Sequence, residues 1–243
     1  MPTLRDYLAY CRDSGRVAEI IVVDDGSLDA TSVVVERFAA DHPEVRLIRL
    51  AENRGKGYAV RTGVVNARGK LVLFADADGA TPLGEIERLE AALREGADVA
   101  IGSRAVQAAG VRVSARVYRR LMGRMFHRLV ETLTVRGVHD TQCGFKLFRG
   151  TVAQDLFSRT RMRGFSFDVE VLMMAQRRGY RIVEVPVNWT HQPGSKVNLV
   201  TDSPLMVRDL FIIRARHLRG EYNTPHVAPW RDPALETAAS PQP

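Results

Sequence analysis

Residues 72–82 read VLFADADGATP. An apolar run closes on two aspartates one residue apart, Asp76 and Asp78, followed by Gly79. With Lys70 and Leu71 in front, segment 70–78 predicts a buried strand that delivers two carboxylates to its carboxyl end. Alternation along an extended chain points both side chains the same way. Two hard oxygen donors on one side suit Mg2+ or Mn2+, ions that commonly take one or two carboxylates and share substrate phosphates. The same residues suit a solvated turn, with Asp78-Gly79 making the bend and the acids capping the next helix.

Outward from this stretch the pattern repeats. EIIVVDD (19–25) predicts a second buried strand ending in acids, Asp24 and Asp25, with Gly26 permitting a tight turn. Between the two lie a predicted helix at 29–42 with Asp29 as its N-cap, a strand at 45–50 and a helix at 55–68. A helix at 83–96 and a strand at 97–104 follow. This rhythm predicts an α/β fold: a mostly parallel sheet with helices on both faces, whose ligands sit at the carboxyl ends of its strands. Beyond 104 the predicted elements are a helix at 114–135, strands at 143–148 and 181–189, and helices at 167–180 and 204–219. One catalytic domain is expected over 1–220. Residues 221–243, rich in proline and alanine, predict a disordered tail. The chain opens on a short amphipathic segment (Leu4, Tyr7, Leu8) and reaches its first clear strand only at residue 19. Either this segment leads in, or an upstream strand is absent.

Composition narrows the class. The 243 residues are 45% hydrophobic and 26% charged, enough for one sizeable core. No run of about 18 apolar residues encodes a membrane-spanning helix, and the N-terminus lacks the apolar core of a signal peptide. Cys11 and Cys143 match no metal spacing and read as reduced thiols of a cytosolic protein. The net charge of +7 suits phosphorylated ligands, anionic lipid or nucleic acid. From Ala105 to Val130 there is no acid, and Arg116, Arg119, Arg120, Arg124 and His127 share one face of the predicted helix. That face suits lipid headgroups or a phosphate-bearing acceptor as well as plain solvent. It has no interleaved aromatic platform, so no nucleic-acid partner is expected. ENRGKGYAV (52–60) sets Arg54 and Lys56 at a helix start, where backbone amides favour an anion. It is not the P-loop pattern of an ATPase.

Seven motifs, IIVVDDGSLDAT, NRGKGYAVRTG, LFADADGAT, IGSR, DTQCGFKLF, FDVE and EVPVNWTHQPGSK, stand in the order found in family-2 glycosyltransferases. The chain resembles their dolichyl-phosphate β-glucosyltransferase branch and its bacterial polyprenyl-phosphate relatives over roughly residues 3–220. The resemblance implies a GT-A fold and inverting transfer of a sugar, glucose from UDP-glucose in this branch, to a polyprenyl or dolichyl phosphate. It implies a nucleotide site of Asp24, Asp25, Arg54, Lys56, Asp76 and Asp140. Asp76 and Asp78 would be the DxD motif holding Mg2+ or Mn2+, Asp78 being favoured as the direct ligand. Arg104 and one of Arg119 and Arg120 would face the acceptor phosphate, with Ser195 and Lys196 on a loop closing over the site. The implied catalytic set is Asp168, Arg104, Arg120 and Lys196, with Asp168 either a base or a group orienting Arg or Lys. Asp140 would hold sugar or acceptor, or cap its own turn. Two departures stand out: the first strand with its PAYNE-like turn is not seen, and neither is the usual transmembrane anchor. The expected setting is cytoplasmic, peripheral at the inner face of a membrane; the oligomeric state is open. Two alternatives stand beside this reading: transfer to a soluble or polysaccharide hydroxyl with Asp168 as essential base, and an inactive truncated nucleotide-binding fragment.

Overall fold

The computed structural model describes residues 2–106, 113–114, 130–190 and 199–228. Helix α1 (Pro2–Asp13) precedes strand β1 (Ile20–Asp24), helix α2 (Thr31–Asp41), strand β2 (Val45–Arg49) and helix α3 (Lys56–Val65). The opening stretch forms β3 (Leu71–Ala75), which ends just before Asp76. A 3-10 turn (Leu83–Glu85) leads into α4 (Ile86–Arg94), then β4 (Val99–Ser103) and the two-residue β5 (Val113–Ser114). Residues 130–133 are helical. The chain continues through β6 (Phe145–Arg149), α5 (Gly150–Phe157), α6 (Phe167–Arg177), β7 (Ile182–Pro186), β8 (Trp189–Thr190) and α7 (Leu199–Leu218).

The α/β class holds, and the pairing is less uniform than a simple βαβ series. β1 pairs with β2 in parallel, and β4 with β7 in parallel. β6 enters between β3 and β4 and runs antiparallel to both. The four-stranded sheet therefore has the order β3-β6-β4-β7, and β1-β2 forms a separate hydrogen-bonded pair among the described residues. Helix α3 packs on both β1 and β3.

The core forms where these layers meet. Val99, Ala100 and Ile101 of β4 have no exposed surface, as expected of a strand covered on both faces. On one side they meet α6, whose residues Phe167 to Ala175 are all buried. On the other, Leu89 and Leu93 of α4 pack with Phe145 and Leu147 of β6. Phe148 meets Phe157 edge-on at 5.4 Å, an arrangement worth about 1 kcal/mol beyond the area it buries.

Several boundaries differ from expectation. Ala30, not Asp29, occupies the N-cap position of α2; Asp29 Oδ1 instead accepts from Thr31 N at 2.9 Å. The helix at 204–219 begins earlier, at Leu199, and contains Pro204. Helix α5 was not anticipated. The expected tail from 221 is packed over its first residues: Tyr222 is 5% exposed, and His226 N and Val227 N donate to Ser158 O. Most of the predicted 114–135 helix lies outside the described residues. Among the described residues, no helix is long and apolar enough to cross a membrane.

Candidate active site

One edge of the molecule collects the polar strand ends. β3 and β4 finish there, delivering Asp76, Asp78 and Arg104. Because β6 is antiparallel to both, the residues that precede it, Asp140 to Gly144, arrive at the same edge. Asp76 N donates to Gly144 O at 2.8 Å, and a side chain at Gly144 would overlap the Asp76 carboxylate. Glycine is needed here to leave room for an acid.

The two acidic strand ends are joined through the start of α3. Asp25 accepts from Arg54 N (2.7 Å) and Gly55 N (2.9 Å). Gly55 has φ +95°, and a Cβ there would press on Arg163 O at 2.6 Å, so the turn requires glycine. The next residue, Lys56, places Nζ 2.8 Å from Asp76 Oδ1. Its ammonium lies 5.5 Å from the Phe74 ring centre and 5.8 Å from that of Phe165. Burial alone would lower the Lys56 pKa, but Asp76 and then Asp168 outweigh it, and the net shift is upward. Asp24, 4% exposed, accepts from Ser27 N, while its Oδ2 is buried without a hydrogen-bond partner. Asp78 Oδ1 accepts from Ala80 N at 3.0 Å, the turn role open from the sequence. Half-buried Tyr7, from α1, senses both acids: burial first, then Asp78 and Asp76, push its hydroxyl up to about 12.

A second layer of ion pairs lies beside these. Arg104 meets Asp140 in a two-pronged bond, Nε to Oδ2 and Nη2 to Oδ1, both 2.7 Å, and its backbone N adds a third donor at 2.9 Å. Burial pushes the Asp140 carboxyl up, but Arg104 outweighs it and holds it below the usual range. Glu184 of β7 braces this turn by accepting from Asp140 N, His139 N and Ser103 Oγ. The Trp189 ring centre lies 5.4 Å from the Arg104 guanidinium.

Asp168 is 2% exposed, and Lys146 Nζ sits 2.5 Å from its Oδ1 and 2.5 Å from Cys143 O. Burial raises the Asp168 pKa against the opposing pull of Lys146 and Lys56. Cys143 is a buried thiol, pushed by burial to about 12. The structure thus brings Asp24, Asp25, Arg54, Lys56, Asp76, Asp78, Arg104, Asp140 and Asp168 to one region or one step behind it. Arg119, Arg120, Ser195 and Lys196 lie outside the described residues. Sequence reading missed Lys146, Tyr7, Gly144 and Glu184. Lys146 had a signal: a lysine between Phe145 and Leu147 in a buried strand must find a counter-charge.

Among the described residues, no three His, Cys, Asp or Glu side chains converge as a complete metal site. Asp76 and Asp78 supply two hard donors, and a cationic partner already lies against Asp76. That set fits a magnesium or manganese ion that completes its shell from a phosphate ligand and water.

The sequence pattern described as Glycosyl transferase family 2 matches residues 2–157. The chain belongs to glycosyl transferase family 2. This family-2 chain is 43% identical over 212 residues to a dolichyl-phosphate beta-glucosyltransferase of Drosophila melanogaster, covering 84% of the chain and 65% of that relative. It is 39% identical over 237 residues to the Saccharomyces cerevisiae protein of the same description (90% and 71% covered) and 41% over 219 residues to the Homo sapiens one (87% and 68%). It thus spans about two thirds of the length of these relatives. Among solved structures, glucosyl-3-phosphoglycerate synthase of Mycobacterium tuberculosis, in complex with Mn2+, UDP-glucose and phosphoglyceric acid, superposes with a TM-score of 0.58 at 18% identity, covering 86% of this chain and 70% of that one. Mannosyl-3-phosphoglycerate synthase of Rubrobacter xylanophilus gives 0.56 at 21% identity, covering 97% and 74%. The fold of this family-2 chain is accordingly GT-A-like, the α/β class that the strand rhythm predicts.

Proposed function

We propose that this family-2 glycosyltransferase moves glucose from UDP-glucose to a polyprenyl or dolichyl phosphate at the cytosolic face of a membrane, using Mg2+ or Mn2+. The observation that carries the proposal is the continuous set of contacts from Asp25 through the Arg54–Gly55 amides and Lys56 to Asp76. It makes one site of the two acidic strand ends.

In this reading Asp24 and Asp25 lie on the nucleoside side, Asp25 also fixing the loop that aims Lys56. Asp76 and Asp78 hold the divalent cation. When bound, the cation offsets the negative charge that develops on the departing diphosphate. Lys56, the counter-ion of Asp76, is placed to turn its ammonium to a phosphate oxygen once Asp76 has a stronger partner. Asp140 holds Arg104 in a fixed orientation, so its guanidinium can meet the acceptor phosphate without first being ordered. An oxygen of that phosphate attacks the anomeric carbon, the bond from that carbon to UDP breaks, and the configuration inverts. The attacking oxygen is already ionised near neutral pH, so no proton has to be removed. That agrees with Asp168 being buried against Lys146: it acts as a positioning residue rather than as a base.

The test is a transfer assay with UDP-[14C]glucose, polyprenyl phosphate and Mn2+. The expected product partitions into organic solvent, and Asp78→Ala lowers its rate by about 100-fold or more, the scale at which a missing charge stabiliser is felt. Label passing only to a hydroxyl acceptor would instead support a base-catalysed transferase.

A further inference from the structure

A cavity of about 620 Å³ opens between α3, the loop leading into α6, and α7. It is built from residues other than the acidic strand ends. Five arginines line it: Arg61, Arg161, Arg163, Arg208 and Arg216, with His226 beside them. Asp209 is the one acid in its lining. Asp209 is already engaged, by Ser166 Oγ at 3.0 Å and by Arg208 Nη2 at 3.2 Å. Glu170 lies behind the wall and accepts from Arg161 N, Met162 N and Tyr222 OH.

Among the described residues, the five arginines outnumber the acids that reach them, Asp209, Glu170 and Glu221, and two of those acids pair with Arg161 and Arg216 only at long range. Arg161 donates from Nη2 to Glu221 O at 3.1 Å, but its Nε is buried with no hydrogen-bond acceptor, the Glu221 carboxylate being 4.0 Å away. Arg216 Nη1 points at the thioether of Met162 at 3.2 Å, a weak acceptor, and the carboxylate partners of Arg216 are long: Glu221 at 3.8 Å and Glu170 at 4.0 Å. Arg61, 8% exposed, gives its Nη1 proton to Thr160 O. Burial first, and then Arg161, Arg61, Arg216 and Arg163, push the His226 pKa down, so the positive field reaches across the cavity. Guanidinium forks converging on one space match the planar, multi-oxygen geometry of a phosphate. The volume is that of a small-molecule site.

The remaining lining is apolar: Phe165, Leu205, Met206 and Ile212. Leu205 is 49% exposed. A charged base with an apolar rim suits a ligand with a phosphate at one end and hydrocarbon at the other. We infer that this arginine cavity is a second phosphate site, which takes the headgroup of an anionic lipid. The inference does not depend on the sugar donor or the acceptor.

The test uses the full chain and the double variant Arg163→Gln/Arg208→Gln. Arg163 is exposed and, among the described residues, Arg208 pairs with the neighbouring Asp209, so both changes spare the fold. Calorimetric titration with dihexanoyl phosphatidic acid, inorganic phosphate and Mn2+–UDP gives three separate readings. The intact chain is expected to bind the lipid phosphate more tightly than inorganic phosphate. The double variant should lose about tenfold or more of the lipid affinity while keeping its Mn2+–UDP affinity, and the Arg163→Lys/Arg208→Lys variant should fall between. Equal affinity for free and lipid phosphate would overturn the lipid assignment. An unchanged affinity in the double variant would overturn the site. Parallel loss of Mn2+–UDP binding would assign the cavity to the nucleotide cleft instead. Sedimentation with phosphatidylcholine vesicles, with and without phosphatidic acid, must follow the calorimetric ranking.

Discussion

Three ion pairs, Lys146–Asp168, Lys56–Asp76 and Arg104–Asp140, each make their own prediction. Lys146 and Asp168 are 2% and 3% exposed at their side chains, so removing either leaves an uncompensated buried charge. Lys146→Met or Asp168→Asn is expected to destabilise the fold by about 3–5 kcal/mol, whereas an apolar replacement of both costs far less. Denaturant midpoints of the two single variants and the double one measure this, and additive losses would contradict it. Lys56→Met removes the ammonium proposed to meet the diphosphate and should weaken UDP binding by about tenfold or more, without a comparable change in stability. For Asp140 the sign follows from its lowered pKa. The Arg104 pair contributes its full stability above the ordinary aspartate value of about 3.9, and that contribution is lost as pH falls through the folded value. Asp140→Asn should therefore be less stable at neutral pH and show a shallower acid limb in a pH series of melting points. The acids at 24, 25, 76 and 78 were legible because each pair interrupts an apolar run. Their partners were less so: Lys146 stands 22 residues before Asp168, and nothing local in the sequence joins them.

At the scale of elements, the strands were readable and their partners were not. An apolar run reports burial, but β6 looks the same whether it pairs parallel or antiparallel. Helix α5 escaped because it starts at Gly150, a residue that reads as a breaker, and spans only 8 residues. The split between β1-β2 and the four-stranded sheet has a measurable consequence. Ile20 N donates to Glu44 O and Leu50 N to Asp24 O, so residues 20, 22 and 24 address β2. Ile21 and Val23 face the other way, where no hydrogen-bonded strand stands among the described residues. In β3, Asp76 N donates to Gly144 O and Gly150 N to Lys70 O, which turns the backbone groups of Leu71, Leu73 and Ala75 away from β6. Amides of Ile21, Val23 and Leu73 should exchange about tenfold faster than those of Val22 and Val72 in native-state hydrogen exchange. Equal protection would mean that another strand closes the gap.

At the scale of the molecule, the net charge of +7 becomes informative only once it is placed. The arginine-rich run after Ala105 was visible as a face. The arginine cavity was not, because positions 61, 161, 163, 208 and 216 come together only through the packing of α3 and α7. The family assignment, the shared edge of β3 and β4 and the bridge from Asp25 to Asp76 converge on one claim: acids at strand ends hold a cation-bound nucleotide diphosphate. The most direct test is equilibrium titration of the full chain with UDP-glucose, with and without Mn2+, repeated on Asp76→Ala and Asp78→Ala. The claim predicts binding that strengthens about tenfold or more with Mn2+ in the intact chain and a gain that disappears in both variants. Binding that is indifferent to Mn2+, or a gain that survives the loss of both carboxylates, would contradict it.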